Sequence, residues 1–213
     1  MKIIIDCMGG DNAPQAPVMG AIQAHREYGV DINLVGRGED ILKVLVTEEE
    51  LQKRVGELGE ALYEKFEGKN PLFLGVLKGS FIFMADLIRA TQLKSDLEFM
   101  SVSSYANATE SSGRVHVNYD LQQDITGRHL IIVEDILDSG NTLYYLMDVL
   151  RARKPASIKI CTLLDKPDRR TKPITANYTG FTIPDAFVVG YGLDYAQKYR
   201  NLPYIGVVEL DEE

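Results

Sequence analysis

Residues 130–142 read LIIVEDILDSGNT. The stretch opens with four apolar residues, passes two carboxylates, Glu134 and Asp135, and ends in a short polar turn. The following YYLMDVL has apolar residues at helical spacing, so a buried strand feeds a turn and then a helix over 141–153. The same alternation extends in both directions. Strands are expected at 72–77, 97–103, 115–119, 158–164 and 186–189, and a helix at 81–89. Upstream, ILKVLVT reads as a strand, and Thr47 with Glu50 forms a capping-box signature. Leu51, Val55, Leu58, Leu62 and Phe66 then mark one face of a helix closed by GKNP. Continuous apolar strands separated by helices predict an α/β fold with a central parallel sheet covered on both faces.

Ligands of open α/β sheets sit at the carboxyl ends of the strands. A Gly/Ser/Thr turn entering a helix offers free N–H groups and the positive dipole end, which suits a phosphate. Carboxylates beside that turn would repel a bare anion. They can accept hydrogen bonds from ribose hydroxyls or hold Mg²⁺ indirectly, so the junction suits a sugar phosphate. Ser139, Gly140, Asn141 and Thr142 form the phosphate turn, and Asp138 stands between it and the carboxylate pair. The plainer reading of Asp138 is a helix N-cap.

The bulk composition narrows the classes. The chain has 213 residues, 45% hydrophobic and 25% charged, with a formal net charge of -8. That charge argues against a broad nucleic-acid surface. Cys7 and Cys161 sit in apolar runs without zinc or disulfide spacing, and read as small buried hydrophobes. No apolar run reaches the roughly 20 residues of a membrane span, and no secretory signal pattern is present, so a cytoplasmic location is expected.

VEDILDSGNT resembles the ribose-phosphate-donor motif of type I phosphoribosyltransferases, in the hypoxanthine-guanine branch. Four further segments fit in order, and the resemblance covers about residues 40–211. The implied fold adds a small hood and a mobile lid loop to the central sheet. LKGS resembles the pyrophosphate loop, which assigns Leu77, Lys78 and Gly79 to pyrophosphate and implies a cis Leu-Lys peptide. SSYANATESSGRV resembles the lid, with Ser104 and Tyr105 covering the reacting centre. LLDKPDRR places Lys166 as donor to a purine 6-oxo group. FVVGYGLDY supplies Phe187, expected to stack on the purine and otherwise to pack in the core, and Val188, whose backbone would meet the base edge. Asp194, with Glu134 and Asp135, would hold Mg²⁺, and Arg200 would contact pyrophosphate. Asp138 is implied as the proton acceptor.

The resemblance implies purine salvage. The phosphoribosyl group of 5-phosphoribosyl 1-pyrophosphate would pass to hypoxanthine or guanine, giving IMP or GMP and pyrophosphate. It implies small-molecule substrates, no membrane or nucleic-acid partner, and a homodimer or homotetramer. A non-enzymatic sensor of the donor is one competing reading, and an acyl-phosphate transferase or lipid-linked scaffold, from the first segment, is the other. Lys166, Phe187, Asp138 and Asp194 together favour catalysis.

Residues 1–38 resemble something else. MKIIIDCMGGDNAP is similar to the start of the phosphate acyltransferase of bacterial phospholipid synthesis. The segment reads as a β-α-β unit, with two strands around a short helix. The chain is therefore expected to divide into an appended segment, 1–39, and a phosphoribosyltransferase domain, 40–213.

Overall fold

The computed structural model describes residues 2–6, 20, 21, 23–25, 28, 31–35, 42–104 and 115–208. The central sheet has six strands: β4 (Leu72–Leu77), β5 (Asp96–Ser104), β6 (Val115–Tyr119), β7 (His129–Leu137), β8 (Ser157–Asp165) and β9 (Tyr178–Thr182). Their order is β6-β5-β4-β7-β8-β9, parallel except for the β5–β6 pair. This is the expected α/β architecture.

Three helices cover the sheet: α1 (Glu48–Phe66), α2 (Phe81–Thr91) and α3 (Asn141–Arg151). Successive strand residues point to opposite faces, and the core divides accordingly. Phe73, Ile131, Val133, Cys161 and Leu163 face α1 and α2. Leu72, Leu74, Leu130, Ile132 and Ile160 face α3. Both faces are buried, which explains why the strands carry unbroken apolar runs. α1 begins at the expected capping box, with the Thr47 and Glu50 side chains each satisfying the other's backbone N–H. Its five periodic residues, Leu51 to Phe66, all enter the core.

A second, three-stranded antiparallel sheet joins β3 (Leu42–Val46), β10 (Val188–Val189) and β11 (Ile205–Val208), in the order β10-β11-β3. It corresponds to the hood. The strand expected over 186–189 is only two residues long. β9 and β11 are strands beyond those expected. The apolar run LIIV predicts a strand over 129–133, but the strand continues to Leu137, so Glu134 and Asp135 belong to β7 itself. In the first segment, β1 (Lys2–Asp6) pairs in parallel with β2 (Asp31–Val35), and the described residues between them are helical, as a β-α-β unit requires.

Candidate active site

The last residues of β7 carry the carboxylates to the end of the sheet. Strand pairing continues through Glu134 with Thr162 and Ile136 with Leu164, so the backbone here is fixed on a side that the core fills. Glu134 is only 9% exposed, and its Oε2 has no hydrogen-bond partner within the protein. Burial, then the charge of Asp135, pushes the Glu134 carboxyl well above the usual carboxylate range. Asp135 is raised to about 6, chiefly by burial. The backbone N–H groups of Ile136 and Asp135, together with the field of Arg200, oppose that rise, and Asp194 adds to it. Two carboxyls with raised affinity for protons, one of them lacking a partner, are poised to accept hydrogen bonds or a cation. A buried polar group in that state is costly unless a ligand satisfies it.

Beyond β7 the chain turns through Gly140, which is left-handed at φ 82° and forms the N-cap of α3. A Cβ there would lie 2.6 Å from Ile174 Cγ2, so the turn needs glycine for space as well as conformation. The N-cap residue makes no side-chain bond to α3; Ser139 Oγ accepts from the Asn141 N–H at a long 3.4 Å, and the N–H groups of the first turn have no helical acceptor. The N-cap reading of Asp138 is thereby corrected. Its Oδ1 instead lies 3.2 Å from Arg169 Nε. Arg169 Nη1 also reaches Asp185, at 3.2 Å. The adjacent Arg170 pairs with Asp165 and packs over Gly140.

The pyrophosphate-loop residues approach from β4. The Leu77–Lys78 peptide is cis. Gly79 lies directly against Asp135, since a Cβ on Gly79 would stand 1.5 Å from Asp135 Oδ2. Gly192, at φ 106°, packs on the other side, where a Cβ would meet the Gly79 carbonyl oxygen at 2.1 Å. Arg200 Nη1 donates to the Gly192 carbonyl at 2.6 Å, and Nη2 pairs with Asp194 Oδ1 at 2.6 Å. Asp194 Oδ2 accepts from the Gln197 N–H at 2.7 Å. Lys78, Gly79, Asp135, Asp194 and Arg200 thus converge at one edge of the β7 tip.

A second group gathers at the other edge. Lys166 follows β8 and is 6% exposed. Its Nζ donates to the Ala186 carbonyl at 2.5 Å and lies 3.9 Å from Asp185 Oδ1. Its backbone N–H donates to Leu137 O, tying it to the end of β7. Phe187 is 49% exposed and makes an edge contact with Tyr195 at 5.5 Å. The core-packing alternative for Phe187 is excluded. Val188 is buried in β10. Ser104 ends β5, while Tyr105 and the rest of the expected lid lie outside the described residues.

A family model described as a phosphoribosyl transferase domain matches residues 45–196. This chain belongs to the phosphoribosyltransferase family. A hypoxanthine-guanine phosphoribosyltransferase of Bacillus subtilis is 56% identical over 170 residues, 80% of this chain and 94% of that protein. The bifunctional protein TilS/HprT of Listeria monocytogenes is 52% identical over 170 residues, and there the phosphoribosyltransferase chain spans about a quarter (26%) of the relative's length. The crystal structure of a Staphylococcus aureus hypoxanthine phosphoribosyltransferase superposes with a TM-score of 0.76 at 48% identity, covering 78% of this chain and 91% of that one. A second family model, described as a fatty acid synthesis protein, matches residues 1–69. It starts where the acyltransferase resemblance does and runs on through α1 of the phosphoribosyltransferase.

Several contacts of this phosphoribosyltransferase were not expected from sequence. Asp185 beside Lys166, the Arg169 bridge to Asp138, and Gly192 against Gly79 all link distant segments. The two glycines flanking Tyr191 in VVGYGLDY are the one local signal of the last. Among the described residues no helix is long and apolar enough to cross a membrane.

Proposed function

We propose that the chain transfers a phosphoribosyl group from 5-phosphoribosyl 1-pyrophosphate to hypoxanthine or guanine, as part of purine salvage. The observation that carries this reading is the juxtaposition at the β7 tip. The acidic pair, the turn into α3, the Gly79–Asp135–Arg200 cluster and the buried Lys166 surround one strand end.

Each group has a role. Glu134 and Asp135 accept hydrogen bonds from the ribose hydroxyls. The N–H groups and hydroxyls of Ser139, Gly140, Asn141 and Thr142 hold the 5-phosphate at the positive end of α3. Leu77, Lys78 and Gly79 present the leaving pyrophosphate with N–H donors, and Arg200 meets its charge as the C1–O bond breaks. Lys166 donates to the purine 6-oxo group, while adenine, with an amino group there, is refused. Phe187 offers an exposed ring face to the base, and Val188 offers backbone. The purine nitrogen attacks C1, and Asp138 takes the proton from N7 of the attacking base. Ser104 and Tyr105 belong to the lid that covers the centre.

Mg²⁺ fits these residues. Asp194, Glu134 and Asp135 offer hard oxygen donors, and one Glu134 oxygen lacks any protein partner. Among the described residues no group of three or more ligating side chains forms a metal site by itself, so substrate phosphate oxygens would have to supply the further donors. When bound, Mg²⁺ supplies charge neutralisation to the leaving pyrophosphate.

The chain divides into an appended segment, 1–39, and the catalytic domain, 40–213. Packing of α1 among Phe83, Met84 and Leu87 supports placing that helix in the catalytic domain, although the fatty-acid-synthesis match includes it. The enzyme is cytoplasmic and assembles as a homodimer or homotetramer.

A steady-state comparison of hypoxanthine, guanine, xanthine and adenine, with and without Mg²⁺, tests the reading. Turnover of 6-oxopurines that needs Mg²⁺, with adenine inert, is expected. Absence of transfer to all four bases overturns it.

A further inference from the structure

Asp86 and Tyr191 lie outside the set of residues assigned above, yet they connect two of its parts. Tyr191 is 3% exposed. It sits between Gly190 and Gly192, and all three residues have positive φ: 98°, 50° and 106°. A non-glycine residue in that conformation is strained and persists only where its surroundings hold it. Two bonds hold this one. The Tyr191 N–H donates to Leu202 O at 2.8 Å, and its hydroxyl donates to the Asp86 carboxylate.

Asp86 stands on α2, with its other oxygen on Arg89. α2 begins at Phe81, immediately after the Lys78–Gly79 loop. The phenol therefore fastens the 190–194 loop to the helix that carries the pyrophosphate loop. Close to this fastening, Gly192 abuts the Gly79 carbonyl and accepts from Arg200. Burial and the bond to Asp86 raise the phenol well above its ordinary range, so it remains a proton donor.

We propose that Asp86 and Tyr191 are positioning residues for the pyrophosphate half of the site, holding the 190–194 loop on Gly79 so that Asp194 and Arg200 face the leaving group. The proposal rests on the assignment of Lys78, Gly79, Asp194 and Arg200 to pyrophosphate. It predicts a loss confined to one substrate. Lys166 follows β8, and Phe187 and Val188, although only a few residues before Tyr191, are pinned to β11 by the Val208 N–H to Phe187 O bond and the Val188–Val207 pairing, so release of the phenol leaves them in place.

The test uses the full chain with Mg²⁺, hypoxanthine and phosphoribosyl pyrophosphate, and inorganic pyrophosphate as product inhibitor. In Tyr191→Phe the KM for the donor and the inhibition constant of pyrophosphate rise about tenfold, with the KM for hypoxanthine unchanged. Asp86→Ala matches it, and Asp86→Asn, which keeps an acceptor, recovers most of the loss. If Tyr191→Phe folds poorly, the two Asp86 variants carry the same comparison. Equal rises in both KM values, or a lower Tm with unchanged kinetics, overturn the proposal. If pyrophosphate fails to compete with the donor in the parent protein, the underlying assignment falls, a result separable from a failed tether.

Discussion

Asp135 and Gly79 are in direct apposition: a methyl group on Gly79 would stand 1.5 Å from Asp135 Oδ2. The carboxylate ends β7's acidic pair and the glycine follows the cis peptide after β4. Two pieces of chain more than fifty residues apart thus share a space that admits no side chain.

Gly79→Ala is expected to displace one or both of these groups. Because Asp135 is held by Ile136 N–H at 2.8 Å and its strand stays paired with β8 through Glu134 and Ile136, the displacement falls on the ligand-binding geometry. The kcat/KM for the donor should fall at least about a hundredfold, with the far-UV spectrum retained. Parent-like donor kinetics would show that Gly79 is free to move.

The acidic pair makes a prediction about pH. Both folded-state carboxyl pKa values are raised, that of Asp135 from 3.8 to about 6 and that of Glu134 well above its ordinary range by burial. A carboxyl raised on folding contributes stability that is full below its unfolded value and lost as pH climbs through its folded value. The ligand-free protein therefore loses stability as pH rises through about 6 and beyond. Glu134→Gln and Asp135→Asn should each flatten that decline and raise Tm at alkaline pH, while activity drops. Thermal melts across the range check it, and a parent-like slope in both variants would contradict it. The site is then a place where stability is traded for function.

Lys166→Met removes the charged donor proposed above to meet the purine and keeps the buried stem. A hydrogen bond from a charged group contributes about 1.5–3 kcal/mol, so kcat/KM for hypoxanthine should fall about tenfold to about a hundredfold. The KM for the donor should hold. Unchanged discrimination between hypoxanthine and adenine would remove Lys166 from base recognition.

Gly59 separates fold from site. It lies inside α1, where a Cβ would come within 2.7 Å of the Ala90 backbone on α2. Helix propensity alone favours alanine by about 1 kcal/mol. The backbone contact should win, so that Gly59→Ala lowers Tm while activity per folded molecule is kept. A raised Tm would mean that the two helices can part at little cost.

The elements that sequence revealed most clearly are those with local causes. α1 has a capping box and five periodic apolar residues, and β4 and the 130–133 stretch of β7 are runs without polar side chains because both sheet faces are covered. β9 escaped notice because YTGFT is short and carries a glycine. Gly180 is there because a Cβ would strike Leu163 O of β8 at 2.4 Å, a tertiary requirement with no local signature. β3 and β11 pair across most of the chain, and no spacing rule announces such a partner. In the site, the β7 junction was readable because strand, acids, glycine turn and helix are contiguous. The Arg169 bridge, Asp185 beside Lys166, and the Tyr191 tether arise only from folding.

The central claim is that the β7 tip and the turn into α3 hold one phosphoribosyl donor, with Asp138 receiving the proton. The most direct measurement pairs calorimetric donor binding with single-turnover rates for the parent chain and Asp138→Asn. The account predicts donor affinity within about twofold of the parent and a transfer rate at least about a hundredfold slower. Parent-like transfer by Asp138→Asn, or a parent chain that fails to bind the donor, would contradict it.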